Sequence, residues 1–393
     1  MASAANELRG CYNSAVRIPL ILACALGIAV NCFLYRPVLG YILHGNNDFV
    51  CYYAAAQLSG SPALYDEPAM RRTEIALGDH QHAVVFTRLP FYAAWISPLR
   101  FFDFDLAYLL WQALSLSGVL LFIWFWPSGD RGLNALVCCW SLPLLEAFIS
   151  GQDVTLLLAA LAVSMWLRAR GRDFAAGCAL AVCSVKYHLF LTLPLLLLAR
   201  RMGRFTAGLV AAGAALAVWS FAVAGWSWPR PYIAILTRPD TTPDWNGMPN
   251  LRGLFVGLPN DRLWELLGAA LVLLAAWIVI RGKQEPLAIA ATLASGLLLG
   301  HHAFLRDAVL LLPVCLLMWQ SSCGAPCRAA ALLMFSPLPY LLFLLPDPPL
   351  RPAVLIPLPL LVMAATTLYS QPSLLWGSQS WLPPAFSRRP RTR

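Results

Sequence analysis

Charge is what this sequence has least of. Acidic and basic residues together make up 12% of 393 residues, about half of the roughly 25% usual in a soluble domain. That scarcity, with 59% hydrophobic residues and a mean hydropathy of +0.65, excludes a water-solvated globule. Nucleotide-binding motifs are missing as well. There is no Walker phosphate loop and no Gly-rich dinucleotide fingerprint, which argues against ATP or a nucleotide-sugar donor. Metal-ligand spacing is also absent: most of the eleven cysteines (Cys24, Cys32, Cys138, Cys139, Cys178, Cys183, Cys315) lie in apolar runs as small buried hydrophobes. Cys323 and Cys327 share a loop, with no His or second Cys pair beside them. The net charge of +9 does not indicate nucleic acid, because the basic residues sit in short loops between apolar runs, where the positive-inside rule places them.

What is present is apolar sequence in span-sized pieces. Lipid must solvate such a chain, and only helices satisfy their backbone there without a closed barrel, each needing about 20 apolar residues. The expected class is an all-α polytopic membrane protein with about 10 to 13 transmembrane helices. Apolar runs fall at 16–36, 106–126, 133–149, 153–168, 174–199, 205–226, 262–281, 285–300, 304–320, 328–345 and 352–370. The first 17 residues carry Arg9 and Arg17 but no small-residue cleavage site, so the first span is expected to be retained. A single integral domain is expected over 1–393, with external loops at 37–105 and 227–261 and a cytoplasmic tail at 371–393.

Arg-rich connections at 168–172, 200–204 and 281–283 and in the tail all belong in the cytoplasm. Placing the first two on one side makes 174–199 a short hairpin with Lys186 at its apex. The alternative is one tilted helix with Lys186 mid-membrane, which leaves an Arg cluster outside. The run 89–102, broken by Pro90 and Pro98, is too short to span and reads as an interfacial or re-entrant helix. On this map the inside is strongly positive and the outside slightly negative. All six histidines, His44, His80, His82, His188, His301 and His302, fall on or near the outer face.

Several residues could carry chemistry at that face. Asn47 or Asp48 caps a helix that starts at the membrane surface, and the free N–H groups there favour an ionised carboxylate. Phe49, Tyr52 and Tyr53 beside it could form a platform for sugar or lipid. Lys186 is an ionisable group in an apolar segment, which marks a functional candidate, with snorkelling as the plain alternative. His188 lies two residues on. His301, His302 and Arg306 stand at the mouth of two spans, where positive charge would stabilise a leaving phosphate. Adjacent histidines point to different sides of a helix, which weakens a metal site there. Gln152 and Asp153 are expected to cap the next span. Glu146, inside a span, suits the lining of a polar cavity. The Trp- and Pro-rich loop with Trp228, Trp245, Asn246 and Asn250 suits either carbohydrate stacking or interfacial anchoring.

In chain order the sequence has Asn47-Asp48-Phe49 with Tyr52-Tyr53-Ala54-Ala55-Ala56, then Gly60 and Ala63-Leu64-Tyr65-Asp66. Phe86-Thr87-Arg88-Leu89-Pro90-Phe91 and Pro98-Leu99 follow, then Gly151-Gln152-Asp153 and Ala175-Ala176-Gly177 leading to Lys186. The series ends with Asn250-Leu251-Arg252-Gly253-Leu254 and His301-His302 through Arg306-Asp307. This succession resembles glycosyltransferase family 87. It departs from the family where Tyr187-His188 follows Lys186 in place of Pro, and where Arg306 stands near an expected Tyr.

The resemblance implies a GT-C-like bundle with interfacial helices in the first external loop. It also implies transfer of a sugar, mannose in this family, from a polyprenyl-phosphate donor to a lipid or glycan acceptor. The location implied is a bacterial inner membrane, with the site facing the periplasm and membrane lipids around it. Asp48 would be the catalytic base. Lys186, His188, His301, His302 and Arg306 would meet the donor phosphate, and Tyr52, Tyr53, Arg88, Gln152, Asp153, Asn250 and Arg252 would line the sugar and acceptor pocket. No cofactor is implied, with a divalent cation left open. A lipid-linked sugar flippase or small-solute transporter is the competing class. Transporters show repeats and midplane sites, whereas no repeat is visible here and the polar groups gather at one face.

Overall fold

The computed structural model describes residues 18–37, 47–77, 86–127, 130–237, 247–345 and 348–371. The regular elements among these residues are all helical, as a backbone without water requires. Six helices are long and apolar enough to cross a bilayer: Ile18–Pro37, Phe104–Phe125, Gly203–Ala224, Asp261–Arg281, Ala325–Leu344 and Pro352–Ser370. Leucines on their outer sides, such as Leu109, Leu120, Leu266 and Leu271, are exposed where lipid would lie. The expected spans 153–168, 285–300 and 304–320 contain the shorter helices Val154–Ala169, Glu285–Leu299 and Leu311–Gln320, most of whose residues are buried inside the bundle. The protein is thus an all-α polytopic membrane protein.

Two expected spans are broken. Arg131–Trp140 and Leu142–Ile149 meet at 68°, where Ser141 Oγ accepts from Leu144 N at 3.3 Å and a proline follows. Segment 173–199 turns by 113°. Helix Asp173–Ala181 passes into a tight 3-10 stretch, Val182–Phe190, in which Lys186 leaves helical geometry (φ −128°, ψ 54°). Pro194 then starts Leu193–Ala199 in a new direction. Polar groups freed at the turn are satisfied internally, with Thr192 Oγ1 donating to Thr292 O at 2.7 Å and accepting from Ser295 Oγ at 2.9 Å.

The turn brings the chain back to the end it left. Arg168 pairs with Glu285 at 2.6 Å, Arg200 Nη2 donates to Gly282 O at 2.5 Å, and Lys283 N donates to Gln371 Oε1 at 3.3 Å. The connections at 168–172, 200–204 and 281–285 and the end of the last helix therefore meet at one end, as the hairpin requires. Asp173–Ala181 packs against Gly203–Ala224 with almost no space between them. A Cβ on Gly177 would strike the Phe205 carbonyl, and one on Gly208 the Phe174 carbonyl.

Between the long helices Ile18–Pro37 and Phe104–Phe125 the described residues form short helices. Run 89–102 is helix Pro90–Ile96 followed by the 3-10 turn Ser97–Phe101, held on Gly203–Ala224 by Phe91 N donating to Ser220 Oγ at 3.2 Å. Asp103-Phe104-Asp105 is the one Asp-x-Asp in the chain. Its first carboxylate accepts from Leu106 N at 2.9 Å, which makes it a helix cap. Cys323 and Cys327, one turn apart at the start of a helix, lie with their sulfurs against each other. Of the residues considered above, His44, His80, His82, Trp245, Asn246 and the Arg-rich tail lie outside the described residues.

Candidate active site

Phe49–Leu58 begins at the end of the bundle opposite the Arg-rich connections. Its first N–H groups are satisfied by Asn47, whose Oδ1 accepts from Phe49 N at 2.8 Å. Asp48 occupies the cap position, yet its carboxylate makes no capping bond. It turns sideways instead, taking a salt bridge from Arg306 Nη2 at 2.6 Å and a hydrogen bond from Gln152 Nε2.

The expected aromatic platform is a core. Phe49, Tyr52 and Tyr53 are buried, with Phe49 packed against Phe104, Tyr108 and Trp111, and Tyr52 against Tyr92 and Trp111. Three large rings within five residues of one helix cannot all face water when that helix is sandwiched, and burial of their area wins. Tyr53 donates to Phe102 O at 2.6 Å, away from the polar cluster.

Gln152 and Asp153 do not serve as the expected caps either. The chain reaches them through Gly151 in a left-handed conformation (φ 65°), with its carbonyl held by Trp111 Nε1 at 2.8 Å. A side chain at Gly151 would also meet Phe49. From that turn Asp153 points inward and is fully buried. Arg88 grips it with a fork, Nε at 2.7 Å and Nη2 at 3.2 Å, while Nη2 also reaches the Tyr52 hydroxyl at 3.0 Å.

Lys186, 3% exposed, has three N–H bonds to give and three acceptors: Asp307 Oδ1 at 2.6 Å, Gln152 Oε1 at 3.1 Å and Asp153 Oδ1 at 3.4 Å. Snorkelling is thereby ruled out, since its ammonium faces the protein interior. Asp307 is the residue that sequence reasoning left off the site. Its other oxygen accepts from Phe304 N at 2.9 Å, so one carboxylate starts the turn Leu305–Leu310 and matches the buried lysine. Its signal in the sequence was weak, an Asp next to an Arg before a leucine run.

The polar cluster therefore has two levels. The floor is Arg88, Asp153, Lys186 and Asp307, with side chains at most 9% exposed and two charges of each sign. The mouth is Asp48, Arg306 and Glu146, with side-chain exposures of 21%, 16% and 10%. Arg306 Nη1 reaches Glu146 Oε1 at 3.5 Å. Gln152 joins the levels, accepting from Lys186 and from Tyr52 on its oxygen and donating to Asp48 from its nitrogen.

The histidines lie beside this cluster. His302 stacks on Phe304, which also carries Arg306 over its face at 4.5 Å, and His301 packs edge-on against His302. Burial lowers the His302 pKa, and His301 adds to the effect. That favours the neutral ring, able to donate one hydrogen bond and accept one. His188 lies within electrostatic reach of Asp307, Lys186 and His302.

Asn250 and Arg252 have partners elsewhere. Asn250 caps Leu251–Phe255 and ties it to Gly300 O at 2.7 Å, and Arg252 pairs with Asp261 and Glu265. No group of three or more His, Cys, Asp or Glu side chains among the described residues is arranged to hold a metal ion.

In chemical terms, a partly exposed carboxylate is paired with one guanidinium, with two imidazoles beside it through Phe304, over a charge-balanced base. Such a site can take a proton from a hydroxyl on one side and meet an anionic leaving group on the other. Comparison with known proteins returns one family. The model of Glycosyltransferase family 87 matches residues 86–313, more than half of the chain and all of the floor, with Asp48 outside the matched stretch. No curated protein and no solved structure gives a match.

Proposed function

This chain belongs to glycosyltransferase family 87, and we propose that it transfers mannose from a polyprenyl phosphate to a hydroxyl of a lipid or glycan acceptor, with inversion, at the outer face of a bacterial inner membrane. The family supplies the reaction class. The observation that supports a proton-accepting group at the site is Asp48: a carboxylate at a helix start that leaves capping to Asn47 and presents itself at the mouth of a buried ionic cluster.

In this reading the Asp48 carboxylate takes the proton of the acceptor hydroxyl as its oxygen attacks the anomeric carbon. The bond from that carbon to the phosphate oxygen breaks on the opposite face, and the phosphate leaves with the electron pair. Arg306, His301 and His302 are the donors nearest the opening for that developing charge. Lys186 takes a different part from the one its position in the sequence suggests. With its bonds engaged by Asp153, Asp307 and Gln152, it sets the floor on which the donor's phosphate would rest, and meeting the phosphate itself would require exchange of one carboxylate partner. A low-dielectric cluster with matched charges is a preorganised base for such a step.

The test is product analysis. Purified protein in nanodiscs is incubated with radiolabelled polyprenyl-phosphate mannose and a membrane lipid extract, and the products are identified by mass spectrometry. A mannosylated acceptor together with free polyprenyl phosphate is expected. Movement of intact donor across the bilayer with no new glycosidic bond would replace this reading with lipid flipping.

A further inference from the structure

Glu146 has no role in the transfer as just described, yet its placement is costly. It lies 8% exposed on Leu142–Ile149, the apolar arm beyond the 68° bend, where an ionisable side chain needs a reason. Its Oε1 reaches Arg306 Nη1, while its Oε2 has no hydrogen-bond partner. The other terminal nitrogen of Arg306 belongs to Asp48. One guanidinium therefore lies between two carboxylates from separate elements, and the mouth holds one more negative than positive charge.

The surroundings offer no relief for that imbalance. Glu146 is faced by Arg306 and Asp307 from Leu305–Leu310, by Asp48, by Lys186, and by Tyr35 from Ile18–Pro37. Asp48 is faced by Arg306, Gln152, Tyr52, Cys51 and Tyr35. Lys186 is the other cation in reach, and its three N–H bonds are engaged in the floor.

We infer that Glu146 is a positioning residue: it holds Arg306 by its second nitrogen, so that the guanidinium is shared between Glu146 and Asp48 and Asp48 does not hold it alone when the acceptor's proton is taken. The inference rests on the glycosyl-transfer reading. The physical argument is one of competition. A carboxylate alone with an arginine is a weak base, because the ion pair favours its charged form. A second carboxylate on the same arginine divides that favour and adds a like charge. Removing the Glu146 charge hands Arg306 wholly to Asp48.

Two measurements test this, the first needing no substrate. Thermal unfolding in detergent is followed for wild type, Glu146→Gln, Arg306→Gln and the double variant. If Glu146 acts through Arg306, Glu146→Gln shifts Tm in the wild-type background and not in the Arg306→Gln background. Equal shifts in both would overturn the inference. Should Arg306→Gln fail to fold, Arg306→Met serves, since it keeps an apolar stem and removes the charge that Glu146 meets.

The second measurement is the pH dependence of transfer. In Glu146→Gln the acid limb should move to lower pH by about one unit, with a plateau several-fold lower as the base weakens. Glu146→Asp, which keeps the charge, should retain the wild-type limb. An unmoved limb in Glu146→Gln would likewise overturn the inference. A wild-type protein that transfers no sugar would sink the glycosyl-transfer reading instead, while the unfolding cycle would still decide whether Glu146 holds Arg306.

Discussion

Arg88, Asp153, Lys186 and Asp307 are buried acids and bases, as are Arg306, Asp48 and Glu146 at lower burial, yet the two groups meet different physical demands. In the floor every charge has an opposite partner, the ammonium has three acceptors for three hydrogens, and no side chain is more than 9% exposed. Desolvated charges persist only under such matching. In the mouth one cation serves two acids, Glu146 Oε2 and Arg306 Nε lack hydrogen-bond partners, and the Asp48 side chain is 21% exposed. Complete matching makes a platform, whereas incomplete matching leaves a group able to exchange a proton or an ion-pair partner. The difference teaches that charge in the membrane is not one signal, since stability and reactivity are separated by how fully each group is paired.

Substitutions can break that comparison, and the floor should give the largest effect. Lys186→Met leaves Asp307 buried without its ion-pair partner, while Asp153 keeps Arg88. Loss of one partner from a buried pair costs about 3–5 kcal/mol, so most of the protein should be lost from the monodisperse peak in size-exclusion chromatography. A well-folded Lys186→Met with impaired donor use would move Lys186 from the floor to the mouth.

Asp48→Asn should show the opposite profile. Transfer should fall by about 100-fold or more, while Tm falls less than in Lys186→Met, because Asn47 supplies the cap and Arg306 keeps Glu146 as a partner. Full activity at equal membrane abundance would remove the base assignment. Arg88→Lys comes next. It keeps the charge but loses the fork on Asp153 and the bond to Tyr52, for an expected loss of about 1–3 kcal/mol in denaturant unfolding. A neutral result would mean that a point charge suffices in the floor. The smallest effect sharpens the contrast between neighbours: Asn47→Ala should cost about 1 kcal/mol as a lost helix cap and leave the pH profile of transfer unmoved. If Asn47→Ala were silent in unfolding and Asp48→Ala were not, the capping assignment would have to be exchanged between them.

Hydropathy by itself determined the class of this protein and most of its segmentation, because the transfer of a side chain into lipid is local and adds along the chain. The collection of Arg-rich connections at one end was legible for the same reason, and so was the hairpin at 173–199, required once both clusters shared a side. The order of motifs from Arg88 to Asp307 carried the family. Orientation was not legible. Whether Asp48 caps its helix or faces Arg306 depends on a turn at Gly151 and a 3-10 segment at Leu305–Leu310, about 100 and 260 residues away. Tyr52 and Tyr53 read alike in the sequence, and a single helix sends one to the ionic cluster and the other to a backbone carbonyl. Glu146 was visible as a charge in an apolar run, but its partner Arg306 lies 160 residues on, in Leu305–Leu310. Such pairings arise from contacts between distant segments, whose directions follow from packing and chain turns rather than from any property of the residues taken one at a time.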